Sequence, residues 1–139
     1  MLTVPGDVMK IKDKPHRVPL CRQAMELIEG LRALNGDTPF IFASPDRTRA
    51  PITPNAVLNT FRRTGFAGVQ TTHGVRTIFS TLINETREEG LHSFSSDLAE
   101  LQIAHTLPKV RAAYMRSDYL EPRRVMLQWF ADYLDALRA

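Results

Sequence analysis

One cysteine, Cys21, is all the thiol this chain of 139 residues carries. A lone cysteine excludes an internal disulfide and fits a reducing compartment. No apolar run approaches the ~20 residues that a membrane helix needs, and no charged-then-apolar leader opens the chain. These absences set the expectation of a cytoplasmic protein with no membrane partner. Internal repeats, low-complexity tracts and long linkers are lacking too, so one domain is expected.

What is present suits a packed core. Hydrophobic residues make up 43% and charged residues 24%, a globular balance rather than a disordered one. A chain of this size buries roughly two-thirds of its unfolded surface. The net charge of +3 is modest, but its distribution is uneven. Lys10, Lys12, Lys14, Arg17 and Arg22 crowd the start, followed by Arg47, Arg49, Arg62 and Arg63, then Arg76, Lys109, Arg111 and Arg116. The acids gather at Glu85, Glu88, Glu89, Asp97 and Glu100, and again at Asp132 and Asp135. A basic side opposite an acidic side is a footprint for nucleic acid, and ordinary solvated charge is the alternative.

The hydrophobic pattern predicts short strands over 3–9 and 16–20, with residues 10–15 as a polar turn between them. Ala24, Met25, Leu27, Ile28, Leu31 and Leu34 recur at helical spacing, and that helix should stop near Asn35 and Gly36. Residues 39–43 read as strand or extended chain, and 44–53 as a loop. Thr53 should cap a helix with Pro54 at its first position, closed by Gly65 and Gly68. Thr71 or Thr72 should cap the next helix, over 73–88, with Val75, Ile78, Phe79, Leu82 and Ile83 as its core stripe. A loop over 90–93 leads to a helix holding Leu98 and Leu101. A short helix over 110–116 carries Tyr114. The last helix holds Val125, Met126, Trp129, Phe130, Tyr133, Leu134 and Leu137. The result is an α+β fold, mostly helical, with a small opening β-ribbon and about six helices.

His73 and Arg76 stand at i and i+3, so they share a face in the first turn of a helix. Free N–H groups and the helix dipole favour an anion there, and arginine adds a planar fork for two phosphate oxygens. Alone, the spacing fits an exposed helix start with incidental charge better than it fits a phosphate site. His105 follows a helix and fits a cap, a satisfied half-buried ring, or a donor to phosphate. Tyr114, with Arg111, Arg116 and His105 close in sequence, could act as a nucleophile if base or positive charge supports its phenolate. Packing on the terminal helix is the competing role, and the one that suits Tyr119. Lys10, Lys12 and Lys14 occupy the tip of the opening hairpin.

Thr72-His73-Gly74-Val75-Arg76, then Ala104-His105, then Ala113-Tyr114-Met115-Arg116, then Trp129-Phe130-Ala131-Asp132-Tyr133-Leu134 resembles the catalytic part of a tyrosine recombinase of the phage integrase family. The resemblance runs over nearly the whole chain and is strongest to integrases of satellite phages and genomic islands. It implies DNA strand cleavage and rejoining through a 3′-phosphotyrosyl link, with no metal, nucleotide or other cofactor. Tyr114 would be the nucleophile, with Arg76 and His105 stabilising the phosphorane-like transition state. His73 would hold the phosphate and help move a proton. Lys10 would protonate the departing 5′ oxygen, with Lys12 as the alternative. Lys12, Arg47, Arg49, Lys109 and Arg111 would contact double-stranded DNA. The family uses two arginines, and the first would lie upstream of Met1. The chain is therefore expected to be the C-terminal part of a catalytic domain, nearly inert alone, which self-associates on DNA through its last helix. A non-catalytic DNA-binding or assembly remnant is the second reading, and a histidine phosphohydrolase a distant third.

Overall fold

The computed structural model describes residues 1–9, 15–45, 47–105 and 118–138, with backbone alone at 47–49. It is mostly helical, with two small antiparallel ribbons. The chain divides into two compact units, one formed by Met1–Arg22 with Ile78–Ala139 and the other by Gln23–Thr77.

In the first unit, β1 (Leu2–Val4) pairs with β2 (His16–Val18) in the register Leu2↔Val18, Thr3↔Arg17, Val4↔His16. The first strand is shorter than the sequence predicts. Pro5 has no N–H for a ladder, and the chain turns there into a 3-10 segment, Gly6–Val8, with Met9 N–H bonded to the Gly6 carbonyl at 3.2 Å. The predicted turn over 10–15 falls almost wholly outside the described residues.

Three helices build the core of this unit. α3 (Gly74–Glu88) buries Phe79, Ile83 and Thr86, spaced at i, i+4 and i+7. The chain then reverses at Gly90, whose φ of 78° suits glycine. α4 (Ser96–Gln102) contributes Ala99, and α5 (Leu120–Ala136) contributes Met126. Ile83, Ala99 and Met126 are fully buried. Phe94, Leu98, Ile103, Leu127, Trp129 and Phe130 pack around them. The rings of Phe79 and Phe130 meet edge to face at 4.9 Å. Burying Ile83 or Met126 stabilises the fold by about 1.5–3 kcal/mol each.

Two members of the predicted α3 stripe are corrected. Ile78 is 49% exposed and Val75 46% exposed. Ile78 lies one step around the helix from Phe79, and Val75 sits a full turn before the core begins.

The second unit holds most of α1 (Arg22–Asn35), β3 (Ala43–Ser44), β4 (Arg47–Pro51) and α2 (Ala56–Arg63). α1 ends where predicted: Gly36, at φ 59°, donates its N–H to the Arg32 carbonyl at 3.1 Å. Its stripe is only half used, since Ala24, Ile28 and Leu31 are half-buried while Leu27 and Leu34 are exposed. Residues 44–53 are not a plain loop. Ser44 and Arg47–Pro51 are strand, in an antiparallel pair in which Ala43 lies opposite Pro51. The strand Arg47–Pro51 lacks the apolar alternation that marks a half-buried strand, so the pattern hid it. α2 starts after the turn Pro54–Asn55, where Ala56 N–H reaches the Thr53 carbonyl at 2.9 Å. Gly65, at φ 91°, ends it.

No helix among the described residues is long and apolar enough to cross a membrane.

Candidate functional site

The start of α3 is built locally. Thr71 Oγ1 accepts the Gly74 N–H at 2.9 Å, which resolves the choice between Thr71 and Thr72 as cap. The Arg76 N–H then bonds to the His73 carbonyl at 3.0 Å. His73 sits in the turn just before the helix, one residue outside its predicted first position, and Arg76 in the first turn. Both side chains are exposed. A cationic fork at an open helix N-terminus is suited to a phosphate oxyanion.

His105 belongs to the other unit. α4 ends in a Schellman-type closure, with His105 N–H on the Glu100 carbonyl at 3.0 Å and Ala104 N–H on the Leu101 carbonyl at 3.2 Å. Ala104 adopts φ 54° to close it. The same fold-back brings His105 Nδ1 to 2.6 Å from Glu100 Oε2, while Ser80 Oγ on α3 donates to Glu100 Oε1 at 3.1 Å. The His105 main chain thus helps cap α4, while its ring is not buried but an exposed imidazole held from behind by a carboxylate.

The ribbon is tied to both flanks of the stretch that carries Tyr114. His16 Nε2 donates to the Gln102 carbonyl at 3.1 Å, and Arg17 Nε donates to Asp118 Oδ2 at 2.6 Å. From α5, Arg123 Nε donates to Gln102 Oε1 at 2.9 Å and its Nη1 to the Asp118 carbonyl at 3.1 Å. Arg123 is only 2% exposed, and burial lowers its pKa, partly offset by the charge of Asp118. Among the described residues its Nη2 has no partner.

Sequence reasoning missed Arg123, Gln102 and Asp118. One signal was available: Arg123 stands at i, i+3 and i+7 with Met126 and Phe130, an arginine on the apolar face of a helix. It also passed over a depression of about 500 Å³ on the second unit, lined by Thr53, Ala56, Asn59, Arg62 and Arg63.

Tyr114, Lys10, Lys12, Lys109 and Arg111 lie outside the described residues, and at Arg47 and Arg49 only the backbone of β4 is described. His92, by contrast, is settled as a structural residue, wedged between Thr86, Phe94 and Trp129. Among the described residues no three His, Cys, Asp or Glu side chains cluster as metal ligands.

Over nearly its whole length the chain is similar to phage and prophage integrases, and it belongs to that family, the tyrosine recombinases. It is 37% identical over 138 residues to prophage integrase IntZ of Escherichia coli strain K12, covering 99% of this chain and 33% of the relative. It is 40% identical over 134 residues to prophage integrase IntA of the same strain, covering 96% and 31%. It is 37% identical over 137 residues to the integrase of Shigella phage Sf6, covering 97% and 34%. The chain therefore spans about a third of the length of these relatives. No protein-family model matches it, and no solved structure does.

Proposed function

We propose that this chain is the C-terminal part of a recombinase catalytic domain that cleaves and rejoins DNA through Tyr114. The observation that carries the reading is the start of α3. There the capped turn leaves His73 and Arg76 exposed beside the helix N-terminus, in a chain related to integrases along almost all its length. Tyr114 Oη attacks the scissile phosphorus, the P–O5′ bond breaks, and a 3′-phosphotyrosyl link forms. Lys10, or Lys12, gives the departing 5′ oxygen its proton. A 5′ hydroxyl from a partner strand reverses the step, so the bond energy is conserved without a nucleotide. Arg76 and His105 donate charge-assisted hydrogen bonds to the nonbridging oxygens, where negative charge grows. His73 holds the phosphate and helps take the tyrosine proton.

Only one of the family's two arginines falls within these residues. Loss of one such donor costs on the order of a hundredfold or more in rate, so the isolated chain is nearly inert. Its binding to double-stranded DNA is weak, non-specific and salt-sensitive, carried by Lys12, Arg47, Arg49, Lys109 and Arg111 at phosphates. Arg62 and Arg63 on α2 extend that set. Self-association on DNA uses α5. Trp129 and Phe130 already pack on the core, so contact with a second copy falls to Val125, Leu134 and Leu137, each exposed.

The test replaces the matching third of the Sf6 integrase with this chain and offers the chimera a nicked DNA that traps covalent intermediates. A DNA–protein adduct is expected with Tyr114, and none with Tyr114→Phe at unchanged DNA affinity. Loss of the adduct with Tyr119→Phe instead would overturn the assignment. Strand exchange by the 139-residue chain alone at a rate like that of the chimera would overturn its inertness.

A further inference from the structure

We infer that Glu100 is a positioning residue for His105, turning one ring nitrogen of the imidazole toward the DNA phosphate. The inference rests on the recombinase reading above. Glu100 meets His105 twice: its carbonyl accepts the His105 N–H at 3.0 Å, and its Oε2 lies 2.6 Å from Nδ1. The main-chain bond fixes where the ring is attached, and the carboxylate fixes which way it faces. Glu100 is itself held, because Ser80 Oγ donates to Oε1. A carboxylate accepts hydrogen bonds only, so the proton on this side of the ring belongs to Nδ1. The tautomer of a histidine is set by the bond its other nitrogen makes, which assigns Nε2 the outward role. Among the described residues Nε2 has no partner. A ring that bridges carboxylate and phosphate does so as imidazolium, a donor at both nitrogens.

Ser80 lies in the part of α3 that belongs to the same unit as Glu100 and His105. The chain Ser80–Glu100–His105 therefore references the orientation of His105 to that part of the helix. Orientation matters because a misplacement of about 1 Å in a catalytic donor can cost on the order of a hundredfold in rate.

Two measurements test this. The first is nitrogen NMR of the His105 ring in the 139-residue chain under alkaline conditions. The Nδ1–H tautomer is expected in the unsubstituted chain and in Glu100→Gln, whose amide oxygen still accepts. Reversion to Nε2–H is expected in Glu100→Ala. The second is the single-turnover rate of adduct formation in the Sf6 chimera. Glu100→Ala is expected to slow it by roughly ten- to a hundredfold at unchanged DNA affinity. In a His105→Ala background the same substitution should cost nothing more, because Glu100 acts through His105. An Nδ1–H ring in Glu100→Ala, or losses that multiply in the double variant, would overturn the inference. If the unsubstituted chimera forms no adduct, the recombinase reading fails, and the ring assignment then decides by itself whether Glu100 orients His105.

Discussion

Arg17 on β2 grips Asp118, 101 positions later in the chain, through its guanidinium. Yet both side chains are substantially exposed, at 44% and 40%. Exposed pairs contribute about 0–1 kcal/mol, so Arg17→Ala should lower stability by less than about 1 kcal/mol. Urea unfolding, read as a shift in midpoint at constant slope, checks it.

Arg123 reaches the same Asp118 from inside. Removing it strands half-buried acceptors on Gln102 and Asp118 and empties the buried site of the guanidinium. Arg123→Ala should therefore cost about 2–4 kcal/mol, several times the Arg17 effect. Arg123→Met, which refills the space without the charge, should cost less than Arg123→Ala. The same urea titration ranks the three, and Arg17→Ala ranking worst would refute the ordering.

Ala104 holds φ 54°, where a Cβ is strained and glycine is not. Ala104→Gly should raise stability by about 0.5–1 kcal/mol, since the relief in the folded chain exceeds the added freedom of the unfolded one. A midpoint that falls would show that the closure of α4 does not depend on that conformation.

His92 gives the chain an acid limit. Its Nδ1 accepts the Phe94 N–H at 3.1 Å, and its Nε2 donates to Thr86 Oγ1 at 3.0 Å, whose own proton goes to the Leu82 carbonyl at 2.6 Å. A second ring proton would point at the Phe94 N–H. Burial, chiefly, lowers the His92 pKa; a backbone bond at Ile83 opposes the shift and the charge of Arg87 adds to it. The unfolded chain takes up its proton near pH 6.5, before the folded chain does. Stability is thus fully present above about pH 6.5 and declines as pH falls from there through the lowered folded value. The urea midpoint should fall between about pH 7 and pH 5, and the decline should be shallower in His92→Gln.

The parts of this fold legible in the sequence are those set by local chemistry. Gly36 and Gly65 end α1 and α2 because positive φ is cheap for glycine, and the period of α5 put Met126, Trp129 and Phe130 inward. The start of α3 was readable for the same reason, since a threonine cap and the i, i+3 spacing of His73 and Arg76 are short-range facts. The carboxylate behind His105 was not readable. It depends on Ala104 entering the left-handed region, which alanine does not advertise, so Glu100 counted only as one acid among several. The hairpin at Arg47–Pro51 escaped because its residues carry charge where a buried strand would alternate. Arg123 escaped because an arginine on a helix is ordinarily solvated; only its place among apolar neighbours shows otherwise.

The unit built from Met1–Arg22 and Ile78–Ala139 is discontinuous in sequence, with Gln23–Thr77 set into it. During synthesis the ribbon leaves the ribosome before Gln102, Asp118 and Arg123, which bind it or its partners. The intervening unit is contiguous and can complete its own contacts meanwhile. Joining the ribbon to α4 and α5 is then a loop closure whose entropy grows only slowly with length, about 0.6 kcal/mol per doubling. Changes in the length of the intervening stretch should alter how fast this unit closes far more than how firmly it holds.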